Sequence, residues 1–328
     1  MTTTHVHAPR TPHAPTQPPP ALPYARLLRA ELHRLLSPKA VRYALCVLPA
    51  LIVAYALTAL LTHHTDLAAA QRAAEAAYRA YLEEAAGRQT GAGSTLSASD
   101  FYDDPRYLLA KASFVDLRAV LSALTVVSLA FGIHSGGADW SSRVILTLAS
   151  VEPRRLRLFS ARAVLTAAVP FVVTLLAAAL LVPLLVTVAH LRGSLAGADA
   201  HFAYVLGVIA LRGAAFVGLV ALLGYGLAML TRNTTLAFGI ALAYLVAAER
   251  LFRDYVPALT DYHLSGLLFA VLNERLMMAT DKTSCLGTTA CHAMREGTTA
   301  VQAFAGIAVH LLPVVAAAVW RFTRRDIR

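Results

Sequence analysis

The chain has 328 residues, of which 57% are hydrophobic and only 15% charged, with a mean hydropathy of +0.58 and a net charge of +10. That balance lies far from the soluble average and excludes an ordinary water-soluble domain. Arg outnumbers Lys by 26 to 3. The positive charge is spread over the connectors between apolar runs, so it orients a membrane protein rather than marking a nucleic-acid patch.

Met1 to Pro23 is rich in Pro, Thr and His. Such a segment buries too little surface to offset its ordering entropy, which predicts a disordered tail over 1–23, with His5, His7 and His13 solvated rather than metal-bound. The remainder, 24–328, forms one transmembrane domain. Tyr24 to Arg42 predicts a basic amphipathic helix lying in a headgroup layer, with Tyr24, Leu28, Leu32, Leu35 and Leu36 on one face. Pro38 ends it and turns the chain into the bilayer.

Six apolar runs follow that are long enough to approach the roughly 20 residues a crossing needs: 43–62, 119–137, 163–188, 213–230, 234–252 and 300–320. The first run is expected to stay as a span rather than act as a cleavable secretory signal. The fifth run carries Glu249 and Arg250 in its last turn. The expected fold is an all-α membrane protein with six transmembrane helices and an N-terminal amphipathic interfacial helix. With the N-terminus inside, the inner segments carry a net +12 and the outer ones −2, which places both termini in the cytoplasm.

The outer loops are 63–118 and 253–299. Leu67 to Ala86 has high helix propensity from its alanines, and Gly87 to Ser99 is a Gly/Ser/Thr-rich link. His201–Arg212 predicts a separate outer interfacial helix, with Arg212 reaching the headgroups. Thr231-Arg232-Asn233 is so short a turn that its flanking helices are antiparallel neighbours. Tyr255 to Leu272 predicts a partly inserted or capping helix. Cys285 and Cys291 are spaced for a disulfide on the outer side; a zinc site from Cys285, Cys291, His292 and His263 is the weaker alternative.

Energy-transducing chemistry is missing. No G-x-x-x-x-G-K-[ST] phosphate loop, H-E-x-x-H or G-x-S-x-G occurs, and no paired carboxylates lie at span centres. His134 and His310 are the ionisable residues that look buried, and each is expected to be a neutral packing group.

The longest basic, aromatic-bearing connector, Phe131 to Arg162, opens with Gly136-Gly137, Asp139, Trp140 and Arg143 and closes with Glu152-Pro153-Arg154-Arg155, Arg157 and Arg162. With the amphipathic helix before the first span and the large outer loop after it, this pattern resembles the permease subunit of type 2 ABC exporters, the ABC-2-type family. Asp139 stands at the acidic position, Val144 to Leu148 at the apolar run, and Pro153-Arg154-Arg155 at the basic turn. The resemblance implies a bacterial cell-membrane permease that pairs with a second permease chain, identical or sister. It implies no catalytic site, metal or cofactor of its own, with ATP bound by separate cytosolic ATPase subunits. It also implies that the 138–155 loop docks on the ATPase, with Trp140, Val144, Leu146 and Leu148 as apolar anchors and Arg143, Glu152, Arg154 and Arg155 as a charged rim. A membrane-embedded enzyme using His201, His263 or the acids near Asp100, and a non-transporting scaffold or sensor, are the competing functions.

Overall fold

The computed structural model describes residues 23–87, 96–141, 155–247, 262–273, 275–279 and 294–324. Helices α1 (Tyr24–Leu36), α2 (Lys39–Thr62) and α3 (Leu67–Gly87) come first, then a 3-10 turn (Ala98–Phe101) and α4 (Leu109–Ser141). Helices α5 (Arg155–Arg192), α6 (Ala200–Thr231), α7 (Thr234–Val246), α8 (Leu264–Asn273) and α9 (Ala300–Arg324) follow. Strands are minor: β1 (Tyr107–Leu108) pairs in parallel with β2 (Gly193–Ser194), and β3 (Arg275–Ala279) pairs antiparallel with β4 (Met294–Thr299).

The protein is an all-α membrane protein. Five described helices, α2, α4, α5, α6 and α9, are long and apolar enough to cross a bilayer. Helix α5, at 38 residues, is about 57 Å long at 1.5 Å per residue, well beyond a hydrocarbon core of about 30 Å. Helix α7 is apolar but has 13 described residues, so the expected fifth span, 234–252, is described only in part.

Three boundaries differ from expectation for identifiable reasons. The amphipathic helix stops at Leu36 and Pro38 caps α2, so Lys39 to Arg42 belong to the first span. The separate interfacial helix expected over His201–Arg212 is instead the first third of α6, which runs unbroken from Ala200. Asp199 caps it by accepting from the Phe202 N–H at 2.7 Å, and nothing at Arg212 interrupts the backbone ladder. The second span likewise begins ten residues early, at Leu109. By contrast, α3 covers Leu67–Gly87 as its alanines predict.

Helix α6 is the hub, packing on α4, α5, α7, α8 and α9. Its crossing with α4 is built on glycine. A Cβ on Gly132 would lie 1.9 Å from the Ala221 carbonyl oxygen, and one on Gly224 2.5 Å from that of Leu129. Close backbone approach of this kind is how helices gain packing where lipid is the solvent. Helix α6 then ends on Arg232 in the left-handed region (φ 57°) and α7 starts on Asn233, whose side chain accepts from the Leu236 N–H. Those two caps account for the three-residue turn.

Helix α8, the described part of the expected 255–272 segment, is mostly buried against α6 and α9. The strand pair β3–β4 was not anticipated. Cys285 and Cys291 lie outside the described residues, and Cys46 is a free, exposed thiol on α2. Also outside them are 1–22, 88–95, 248–261 and 142–154, the last including Arg143, Val144, Leu146, Leu148, Glu152, Pro153 and Arg154. Asp139 and Arg155 lie in the last turns of α4 and the first turn of α5.

Candidate functional site

At the end of the bundle that carries α1, the ends of α4, α6 and α9 and the start of α5 converge on one aromatic cluster. Leu27 of α1, Leu158 and Phe159 of α5, Tyr225 and Met229 of α6, and Phe322 of α9 are its buried members. Phe159 meets Tyr225 at 5.3 Å and Phe322 at 6.1 Å between ring centroids, within the range where aromatic pairs add to simple burial. Trp140 is part of this cluster. Its ring lies edge-to-face with Phe322 at 6.4 Å, its Nε1–H points at Met229 Sδ at 3.4 Å, and the Arg232 guanidinium sits 4.5 Å from its centroid. The indole is thus half-buried within the chain rather than held out as a free anchor, and it fixes the last turn of α4 to the cap of α6.

Beside the cluster is a buried ionic node. Helix α1 turns Leu27, Glu31 and Leu35 inward; of the expected stripe of Tyr24, Leu28, Leu32, Leu35 and Leu36, Leu35 is the fully buried member. Tyr24 is exposed, and Leu28, Leu32 and Leu36 are half-buried. Glu31 is 3% exposed. Its carboxylate faces Arg162 of α5 at 3.7 Å and Arg34 of α1 at 3.5 Å. Arg162 Nη2 also donates to the Ser135 carbonyl of α4 at 2.9 Å. The Ser135 hydroxyl donates to the Gly132 carbonyl at 2.9 Å, which leaves it to accept from the Thr166 hydroxyl of α5 at 3.3 Å. One guanidinium therefore ties together α1, α4 and α5. At the rim, Arg157 lies over the Tyr24 ring at 5.7 Å, and Arg321 donates to the Leu230 carbonyl at 2.6 Å, satisfying an open carbonyl at the end of α6.

The described chain stops at Ser141, next to Trp140, and resumes at Arg155, two turns before Arg162; Trp140 belongs to the aromatic cluster and Arg162 to the node beside it. Of the residues singled out in that stretch, the fold turns Trp140 into the aromatic cluster and Arg162 into the neighbouring ionic node. Glu31, Ser135 and Tyr225 complete the site and were not anticipated. A lone acid on a basic amphipathic helix was the available signal for Glu31; Ser135 and Tyr225 carried none.

A cavity of about 550 Å³ opens next to this assembly between α2, α4 and α5. Leu45, Leu48, Phe131 and Val173 are typical of its wall, and Ser128, His134 and Thr174 are its polar groups. Its size and lining suit an apolar molecule. His134 is exposed on this wall rather than buried, whereas His310 is a packing group: its Nδ1 lies 2.9 Å from the Gly306 carbonyl and its ring edge meets Tyr244.

Among the described residues, no hydrogen bond or ion pair joins Asp100, His201 and His263. Asp100 caps the 3-10 turn by accepting from the Ser97 N–H and hydroxyl, which hold its carboxyl below the usual range. His201 is exposed on α6. Among the described residues no group of three or more His, Cys, Asp or Glu could hold a metal ion. Asp116 accepts hydrogen bonds from the hydroxyls of Tyr55 and Tyr107, joining α2 to the base of α4. Burial, reinforced by Asp116, pushes the Tyr107 phenol up, so it remains a neutral donor.

No known protein family, curated protein or solved structure matches the chain.

Proposed function

We propose that this chain is the membrane-spanning permease subunit of an ATP-driven transporter of the ABC-2 type, an exporter in a bacterial cell membrane with both termini in the cytoplasm. In this reading α1 lies on the cytoplasmic face, and the connector 142–154 is the element through which separate ATPase subunits act. A second permease chain, identical or sister, completes the pathway. The observation that carries it is the Arg162 node: the guanidinium that reaches Glu31 and the Ser135 carbonyl makes α1, α4 and α5 one unit at the root of the connector. A push on the connector would then move three helices together, which a simple interfacial turn has no need to do. The absence of a phosphate-binding loop from the sequence supports an external energy source. The apolar cavity between α2, α4 and α5 offers room beside these helices for cargo with an apolar body.

The test is co-purification of an ATP-binding subunit encoded beside this chain, with its ATPase rate measured in lipid. Replacing 142–154 by a Gly/Ser linker, or Arg143→Glu, is expected to abolish binding and stimulation while the permease remains folded. Unchanged binding and stimulation in both variants would overturn the proposal.

A further inference from the structure

The apolar cavity between α2, α4 and α5 is a slot whose length can be read from its walls. On α2 it runs from Ala40 to Leu51 and on α4 from Leu124 to His134, about 15 Å at a rise of 1.5 Å per residue. Its shallow end lies in the first turn of α2, where Lys39 and Arg42 flank Ala40 and Val41, so it is level with the headgroups. Its deep end lies at Leu51 and Thr174, near the middle of α2 and of α5. A slot of that length spans about half of a hydrocarbon core of about 30 Å, which is one leaflet.

The deep end is not wholly apolar. Among the described residues, six serine and threonine side chains are more than nine-tenths buried. Five are satisfied: Ser113, Thr125, Ser128 and Ser135 donate to carbonyls of their own helix, and Thr166 pairs with Ser135. Thr174, 1% exposed, makes no hydrogen bond. A buried threonine on a helix ordinarily turns its hydroxyl to the carbonyl four residues back, here that of Pro170, and Thr174 does not. It lines the slot instead, as does Ser128. The Ser128 proton is committed to the Thr125 carbonyl at 2.8 Å, so that hydroxyl presents only lone pairs. An unpaired hydroxyl in an apolar wall is costly, and a partner within the slot removes the cost.

Leaflet length and a free hydroxyl at the deep end together define an occupant. A plain lipid chain would fill the slot but leave Thr174 unpaired. A chain with a hydroxyl at its buried end can accept from Thr174 and still has a proton to donate to a lone pair such as that of Ser128. The volume of about 550 Å³ falls within the range of small-molecule sites. We infer that the slot binds a single-chain amphiphile of leaflet length that carries a hydroxyl remote from its head, with the head level with His134 and the remote hydroxyl on Thr174. The site does not depend on the transport reading; under that reading its ligand is a cargo.

The full chain in nanodiscs of dioleoylphosphatidylcholine, without any ATPase subunit, is titrated with tritiated 12-hydroxydodecanoate or dodecanoate, and binding to empty nanodiscs is subtracted. The native chain is expected to hold the hydroxylated probe about fivefold more tightly, the worth of one neutral hydrogen bond. Thr174→Val, which keeps the side-chain shape, is expected to bring the two probes to equal affinity by weakening the hydroxylated one alone. Without probe it is expected to melt at or above the native temperature, because an unpaired hydroxyl is gone. Ala44→Trp places an indole in the wall of the slot and is expected to lose both probes. Equal affinity of the native chain for the two probes would assign the slot to an ordinary lipid chain and overturn the inference. So would a Thr174→Val protein that keeps the preference or melts below native without probe, and so would full retention of both probes by Ala44→Trp.

Discussion

Glu31→Gln is the sharpest probe of the node at the root of the connector. At 3.7 Å from Arg162, the gross attraction is about 4.5 kcal/mol at an effective dielectric of about 20. Breaking a buried pair by removing one partner costs about 3–5 kcal/mol. The lower end applies here: 3.7 Å is ion-pair range but too long for a hydrogen bond, and Arg162 keeps its 2.9 Å bond to the Ser135 carbonyl. The expected loss is about 3 kcal/mol for Glu31→Gln, and similar for Arg162→Met. The double variant Glu31→Leu/Arg162→Met, which replaces the pair with apolar volume, is expected within about 1 kcal/mol of the native chain. Unfolding by dodecyl sulfate in dodecylmaltoside micelles, followed by circular dichroism, measures all three. Trypsin cleavage after the exposed Arg26 and Arg29 reports separately on release of α1. Strictly additive single effects, with no recovery in the double variant, would refute the view that this pair fastens α1 to α5.

Trp140→Ala is expected to destabilise by about 2–3 kcal/mol, since a half-buried indole loses the Arg232 and Phe322 contacts. Trp140→Phe keeps most of the stacking, and its melting temperature should lie close to native. Gly132→Ala places a methyl group 1.9 Å from the Ala221 carbonyl and is expected to abolish a monodisperse folded species by gel filtration. Gly239→Ala has nothing within 4 Å of the new methyl and should be neutral or stabilising by up to about 1 kcal/mol. Arg321→Ala removes the 2.6 Å donor from the Leu230 carbonyl, for an expected loss of about 1.5–3 kcal/mol. In the α3-end segment, Arg106 holds the Asp104 carboxyl below its usual range by a bidentate hydrogen bond. A depressed carboxylate stabilises above its unfolded pKa, about 3.9, and that contribution fades as pH falls through the lower folded value. Hydrogen exchange over 98–108, corrected for intrinsic rates, should therefore hold steady from pH 7 to 5 and rise below about pH 4. Arg106→Gln should raise it already at pH 7.

The apolar runs were legible because a bilayer imposes one length and one composition on every crossing. The ends were not. Leu109 to Arg118 carries Lys111, Asp116 and Arg118, so its hydropathy falls below that of a span although its backbone is helical. The fusion of 200–212 with the following span was hidden for the same reason: hydropathy reports where lipid begins, not where a helix begins. Trp140 and Arg162 stood out as an aromatic and a cation in the right connector, but the inward orientation of Trp140 depends on Met229, Arg232 and Phe322, and that of Arg162 on Glu31 and Ser135, all distant in sequence. Glu31 was visible as a lone acid among arginines. Its burial follows from the face α1 turns inward, on which Leu27 packs with Leu158 and Phe159 of α5.

Helices α4 and α5 are fastened together twice. At one end the Arg162–Ser135 bond and the Ser135–Thr166 contact join them; at the other, the two-residue bridge Tyr107–Gly193 and Leu108–Ser194 joins the base of one to the tip of the other. Two rods pinned at both ends cannot slide along each other. The compliance left to them is bending, and α5 carries its prolines, Pro170 and Pro183, between the pins, where the missing N–H groups soften the ladder. A displacement applied at the connector would therefore emerge at the far face as a change of tilt, with the helix register unchanged.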